Sequence, residues 1–323
     1  MNPCPCKADQ EYDVCCRPFH EGTAAKSPEQ LMRSRYCAYV LNLPDYIIAT
    51  THPASSQYSE DKFSWRRNIA QFSKNSVFQR LEILDVKEQK TLATVTFTVH
   101  MSQKGQDATF TEKSYFEKIQ GRWFYRGGQL VEGHAPHLVT TGQLRLLPLA
   151  YYGDPILRKK AEAIGEITEG IQKLVEEMIE TMDASDGIGL AAPQVHHSIR
   201  LFVIRKPIET SSGNLELGEV KVFINPKLSL PSEETWKASE GCLSIPTLRS
   251  LVERPKEISV EYTRLDGSVA VEKVTGWEAR VIMHENDHID GILFIDHLSP
   301  KEKAQLAPFL QRLEERIHDM RAL

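Results

Sequence analysis

The spacing of apolar and polar residues changes along the chain, and each change predicts an element. After a polar stretch of 22 residues, Leu31, Met32, Tyr36, Cys37, Ala38 and Val40 recur at the spacings of a helix with one apolar side. Ser27-Pro28-Glu29-Gln30 opens that helix, with a hydroxyl at the N-cap, proline at the first helical position and glutamine at the third. Cys37 reads as a small buried hydrophobe, and Arg33 and Arg35 as part of a solvated helix face. A short helix is expected from Pro44 to Thr50. From Gln79 the period becomes two, predicting strands Leu81–Val86, Leu92–Met101, Ala108–Ile119 and Arg122–Tyr125, with turns at Lys104-Gly105 and Gln120-Gly121. Helices followed by an antiparallel meander predict a small α+β domain.

Periodicity fades from Gly127-Gly128 to Gly142, which reads as a linker. Beyond it, Thr168 caps a helix whose stripe is Ile171, Leu174, Val175, Met178, Ile179 and Met182, ending at Asp186-Gly187. Leu201–Ile204, Val220–Ile224 and Ile258–Tyr262 read as strands. A helix is expected between Thr275, as N-cap, and Gly291. The last helix opens with the capping box Ser299-Pro300-Lys301-Glu302. The chain divides into residues 1–22, an α+β domain over 23–130, a linker over 131–143 and a second domain over 144–323.

With 323 residues, two domains are the natural expectation, and 41% hydrophobic with 26% charged residues fits an ordinary globular protein. The formal net charge of −5 argues against a generally basic nucleic-acid surface, so no sequence-specific nucleic-acid binding is expected. No run of about 18 apolar residues predicts a membrane span, and the start of the chain lacks the regions of a signal peptide, so the expected location is cytoplasmic.

The candidate chemistry lies in two clusters. Cys4, Cys6, Cys15 and Cys16 account for four of the six cysteines and supply enough thiolates to close a structural zinc site in a segment too short for a core, with a redox role as the alternative. In the second cluster, His284 and His288 stand four residues apart on one helix face, able to bind one metal with Glu285 beside them as a proton-transfer group. Upstream, Gly187-Ile188-Gly189-Leu190-Ala191-Ala192-Pro193-Gln194 lets backbone pass close to a ligand with an amide nearby, and Glu240-Gly241-Cys242-Leu243-Ser244 offers a third metal ligand, Cys242.

These three stretches, in order, resemble the signature motifs of the peptide deformylase family, and so do Gly153-Asp154-Pro155-Ile156-Leu157-Arg158, Asn225-Pro226, Arg254-Pro255 and Gly291-Ile292-Leu293-Phe294. The resemblance covers residues 144–323 and implies an α+β domain with sheets around the His-Glu-x-x-His helix. It also implies removal of the N-formyl group from the initiator methionine of nascent polypeptides. By that resemblance Glu285 is the acid–base group, and Gln194 with the Leu243 N–H stabilises the oxyanion. Ile188 and Gly189 pair with the substrate backbone, Arg249 lies at the rim, and Glu240 with Arg254 orients the ligands. Ferrous iron is favoured, with zinc, nickel or cobalt as other occupants. His196-His197 after Val195, Met283 before His284, and Arg280 near the expected methionine pocket depart from the commoner pattern.

Residues 1–130 resemble a second group. Cys4-Pro5-Cys6…Cys15-Cys16 is similar to the SEC-C zinc motif. Leu31 to Tyr39, His52-Pro53 and Trp123-Phe124-Tyr125 look like the YchJ-like proteins, which pair that motif with a nuclear-transport-factor-like domain. A binding module is expected there, its partner the ribosome or a chaperone. The rival readings are a His-Glu-x-x-His protease, against which Phe294 stands where the third histidine is required, and a non-catalytic adaptor.

Overall fold

A computed structural model describes residues 3–139, 141–210 and 215–322. The chain separates into two compact units, Met1–Leu144 with Asp319–Leu323, and Arg145–His318.

In the first unit α1 (Arg17–His20), α2 (Pro28–Val40), α3 (Pro44–Ala49) and α4 (Lys62–Asn75) precede a sheet of β1 (Ser76–Glu88), β2 (Leu92–Gln103), β3 (Gln106–Asp107), β4 (Phe110–Ile119) and β5 (Arg122–Glu132). The antiparallel order is β1-β2-β4-β5, with β3 on β2. The Ser27 hydroxyl accepts from the Gln30 N–H, as a capping residue does. Ala93, Val95, Phe97, Val99 and Met101 project from one face of β2 onto Leu31, Tyr36 and Cys37, and the thiols of Cys4, Cys6 and Cys16 join that core.

Three features differ from expectation. Helix α4 was not expected: Trp65, Ile69 and Phe72 do line one side of it, but it buries only Ile69 and Ser73 and leaves Phe63 exposed, so polar residues dominate its sequence. Gly127-Gly128 does not begin a linker. Strand β5 runs through both residues to Glu132, with a register shift opposite Tyr115 and Phe116. Beyond it the Ala135 N–H bonds back to the Thr111 hydroxyl, so the chain stays on the sheet. Arg35 is not solvated either: it is 4% exposed, and its Nη1 bonds at the end of α3.

The second unit contains α5 (Glu169–Ala184), β6 (Gly189–Ala191), β7 (Leu201–Glu209), β8 (Leu215–Ser229), β9 (Thr235–Cys242), β10 (Ile245–Pro255), β11 (Glu257–Thr263), β12 (Val269–Thr275), α6 (Gly276–Ile289) and, as far as His318, α7 (Pro300–Ala322). Five strands run in the order β12-β11-β8-β7-β6, and β9 and β10 form a separate hairpin sheet. Phe202, Phe223, Val260 and Tyr262 from the larger sheet pack on Ala279, Ile282, Met283 and Ile289 of α6, so that helix is fixed along its length. Thr168 caps α5 through its side chain, whereas Thr275 precedes α6 without a side-chain bond. Ser299 and Glu302 bond reciprocally at the start of α7. The hairpin β9–β10 escaped sequence reading because Glu240 and Arg254, both buried, break the polar-out alternation.

Gly291, just past α6, has φ +76°, and a Cβ there would lie 2.8 Å from the Arg158 carbonyl oxygen. Left-handed strain and a backbone clash then act together. Gly291→Ala is expected to cost at least about 2 kcal/mol, lowering the Tm of the second unit by roughly 4–8 °C, as differential scanning calorimetry would show.

Candidate metal centre and active site

Cys242 ends β9, one residue before the turn Leu243-Ser244, while His284 and His288 project from α6 one turn apart. The three donor atoms lie within 4.8 Å of one another, and Cys242 Sγ is 3.2 Å from His288 Nε2. His284 Nδ1 lies 3.0 Å from Glu240 Oε2, which fixes the ring and turns its other nitrogen towards the cluster. Burial disfavours the charged form of His284, but Cys242 and Glu240 outweigh it and push the imidazole up to about 10. A proton held between a thiol and a carboxylate is what a cation displaces on binding. One soft sulfur and two imidazoles fit a divalent transition metal.

Glu240 is the hub of the surroundings. Arg254 Nε and Nη2 donate to its two oxygens at 2.7 and 2.9 Å, a bidentate pair. Arg280 Nη1 also donates to Oε1, while Nη2 donates to the Trp236 carbonyl at 2.8 Å and the guanidinium stacks on the Trp236 ring at 4.4 Å. Arg254 Nη1 continues to Asp287 Oδ2 at 2.9 Å, which also meets His297 Nε2 at 2.7 Å. Burial would raise the Glu240 carboxyl, yet His284 and Arg254 hold it well below the usual range. Arg280, expected near a methionine pocket, is thus committed to Glu240 instead. Its signal in the sequence was weak: an arginine on the buried side of an apolar helix, 2% exposed.

Glu285 is 4% exposed, and its Oε2 has no hydrogen-bond partner among the described residues. Burial pushes its carboxyl up to about 7, against the opposing pull of His284. Gly189 explains how the carboxyl fits: a Cβ there would sit 2.3 Å from Glu285 Oε1. Gln194 is also buried. The Ala191 N–H donates to its Oε1 at 2.8 Å, which directs Nε2 to Cys242 Sγ at 3.5 Å and Ser244 Oγ at 3.2 Å.

Gly189 opens β6, the edge strand of the five-stranded sheet. The Ile188 carbonyl accepts from the Arg205 N–H on the β7 side, so by alternation the peptide groups of Gly189 face the open edge. Arg249, on β10, is exposed and folds over Gly241, its Nε 3.2 Å from Ser239 Oγ. His196 and His197 are exposed, with His196 in the left-handed region, which marks a loop. In the first unit, Cys4, Cys6, Cys15 and Cys16 also bring their sulfurs within 4.8 Å of one another. Burial raises the Cys4 thiol to about 11.

A buried helix bearing two imidazoles and a carboxyl, beside a strand-borne cysteine and an open sheet edge, brings together the side chains that a metal-dependent hydrolase uses. The model for polypeptide deformylase matches residues 146–304, and that for the YchJ middle NTF2-like domain matches residues 27–128. A peptide deformylase from Pseudothermotoga lettingae is 44% identical over 144 residues, 45% of this chain and 78% of the relative. One from Cytophaga hutchinsonii is 41% identical, covering 50% of this chain and 86% of the relative. A solved Arabidopsis thaliana peptide deformylase 1B is 30% identical, covering 55% of this chain and 94% of that one, with a TM-score of 0.50. The chain belongs to the peptide deformylase family.

Replacing Arg280 by Met keeps its bulk but takes one cation from Glu240. Metal affinity, read by chelator competition, is expected to fall about 10–100-fold. Because a carboxyl held below its ordinary value stabilises the fold above that value and loses the effect as pH falls through the folded one, the variant is expected to unfold at higher pH than the parent in acid titration.

Proposed function

We propose that this chain hydrolyses the N-terminal formamide of nascent polypeptides, releasing formate and a free amino-terminal methionine. The observation that carries this reading is Glu285, buried with an unpartnered oxygen beside the Cys242–His284–His288 cluster and facing an edge strand. The chemistry a divalent metal supplies there, when bound, is Lewis acidity towards a water and the formyl oxygen. Glu285 takes the proton from the attacking water and returns it to the leaving amine nitrogen. A carboxyl near 7 suits both directions of that transfer. Gln194 Nε2 and the Leu243 N–H are the donors for the negative charge that grows on the formyl oxygen.

The substrate binds as an added strand. Gly189 offers its N–H and carbonyl at the edge of β6, Ile188 flanks it, and Arg249 at the rim meets the chain farther from its terminus. Glu240 and Arg254 hold His284 in the orientation that ligation needs. Ferrous iron is the metal this reading favours in the cell, and the donor set suits zinc, nickel or cobalt as well. The four N-terminal thiols hold a structural zinc that fastens the start of the chain to the core of the first unit, and the binding and catalytic domains are assigned to residues 23–135 and 144–323, the last strand of the first running past the expected boundary at 130. None of the helices among the described residues is long and apolar enough to cross a membrane, and the setting proposed is the cytoplasm.

Glu285→Ala is expected to lower the rate of formate release from a formyl-methionyl tripeptide about 10²–10⁴-fold with metal content unchanged. An unaltered rate, or loss of metal together with the rate, would remove Glu285 from its role. For the N-terminal domain we propose a ribosome- or chaperone-binding role. The full chain should cosediment with ribosomes, or bring down a chaperone, better than a chain lacking residues 1–142. Equal recovery of both would count against it.

A further inference from the structure

Strand β5 is an outer strand of the first unit's sheet, and its outer edge is only partly covered. Residues 50–52 run parallel beside it: the Tyr125 N–H donates to the Thr50 carbonyl at 2.9 Å, and the His52 N–H donates to the Tyr125 carbonyl at 2.8 Å. Before Thr50 the chain is helical, as α3, so this pairing stops short of the start of β5. Ile119 and Arg122 close the two-residue turn Gln120-Gly121, which makes Lys118 and Trp123 the next pair, the one that exchanges no ladder bonds. In agreement, the Lys118 N–H points the other way, donating to the Thr91 carbonyl at 2.6 Å. The N–H and carbonyl of Trp123 therefore face the outer edge, and no described backbone group pairs with them there.

A cavity of about 330 Å³ lies in that gap, between the start of β5, α3 and residues 22–25. Phe19, Leu31, Tyr46 and Trp123 give it apolar walls, and the exposed Ala49 of α3 stands at its side. Two polar groups on the wall are unspent. Trp123 is 3% exposed, and its indole N–H has no hydrogen-bond partner among the described residues. Arg122 makes one hydrogen bond there, a long one of 3.5 Å from Nη2 to the Gly22 carbonyl, and no described carboxylate. Asp45, the acid on the wall, is already bonded to Arg66 Nε at 2.8 Å, so the charge of Arg122 is left over. The volume lies at the small end of the roughly 300–1,000 Å³ range of ligand pockets, room for one bulky side chain and not for a folded partner.

On the reading of this unit as a binding module, we propose that the gap receives a short extended peptide that adds to the edge of β5. One of its residues pairs through its peptide groups with the Trp123 N–H and carbonyl, and the bulky apolar side chain of that residue fills the cavity. An acidic side chain next to it meets Arg122. Main-chain bonds then give affinity and the cavity selects the side chain. A buried indole N–H wants an acceptor, which a peptide carbonyl supplies and a hydrocarbon does not. A helical partner has its own peptide groups already bonded and offers nothing to the Trp123 backbone.

The test titrates the full-length, metal-loaded chain with acetyl-Ser-Leu-Asp-Ser-amide while the backbone amide resonances of Trp123 and Phe124 are followed. The peptide carries no formyl group, and those amides belong to the first unit, so occupancy of the catalytic centre does not mimic the response. A saturable shift is expected, with binding at least tenfold weaker when serine replaces the leucine and at least threefold weaker when asparagine replaces the aspartate. Ala49→Leu, which adds bulk at an exposed helical position beside the cavity, is expected to weaken the peptide at least tenfold. Arg122→Gln is expected to erase the preference for aspartate, and neither variant should alter deformylation. No saturable shift, equal binding of the leucine and serine peptides, or binding unchanged in Ala49→Leu overturns the proposal. Recovery of ribosomes or a chaperone by a chain that binds no peptide overturns this site alone and leaves the binding-module reading standing.

Discussion

The second unit depends on one buried carboxylate. Glu240 accepts from Arg254, Arg280 and His284, drawing on β10 and α6 from its own place on β9. A lone anion at that depth would cost several kcal/mol. Surrounded by donors on every lone-pair direction it is stable, and it ties the hairpin sheet to the helix that carries both imidazoles. Cys242 lies two residues further along the same strand, so the contact that orients His284 also sets the distance from the sulfur to the histidines. Loss of either arginine leaves the carboxylate under-compensated and frees the strand end that carries Cys242.

The glycines around that hub matter for what they leave out. At Gly189 a side chain would overlap Glu285, and at Gly187 it would meet Leu243 Cδ1 at 2.9 Å. Backbone can therefore approach the buried carboxyl closely while excluding water. The same residue opens an edge strand of only three residues, ended by Pro193. A short edge limits pairing with stray chains while leaving the peptide groups of Gly189 on its open side. The arrangement asks little of side-chain recognition and much of backbone geometry, as suits an enzyme that meets many different polypeptides sharing one terminus.

Much of this was legible from spacing, because some signals are local. The four-residue interval between His284 and His288, the caps at Ser27, Thr168 and Ser299, and the crowding of Cys4, Cys6, Cys15 and Cys16 each act within one or two turns of chain. What was not legible is non-local. Arg280 and Arg35 look like ordinary helix-face cations until the fold brings Glu240 to one and Tyr125 to the other. The Gly127-Gly128 pair resembles a chain break because its reason, room for Glu112, lies on another strand. Helix α4 presents Trp65, Ile69 and Phe72 on one side, but buries so little of it that polar residues dominate the pattern.

Three glutamates, two buried and one partly so, show how far environment, and not residue type, assigns a role. Glu240 is surrounded by cations and imidazole and is held anionic. Glu285, 45 residues on in sequence, has no cation bonded to it, and burial raises it to about 7. Glu112, met only by hydroxyls with Arg35 at longer range, is raised by burial as well. The first must never take up a proton, since its charge is what keeps His284 aligned. The second, in the role proposed for it, exchanges one in each turnover, which requires a value close to the surrounding pH. A single catalytic unit achieves both by withholding hydrogen-bond donors from Glu285 while supplying a full set to Glu240. The selectivity therefore resides in which carboxylate the arginines can reach.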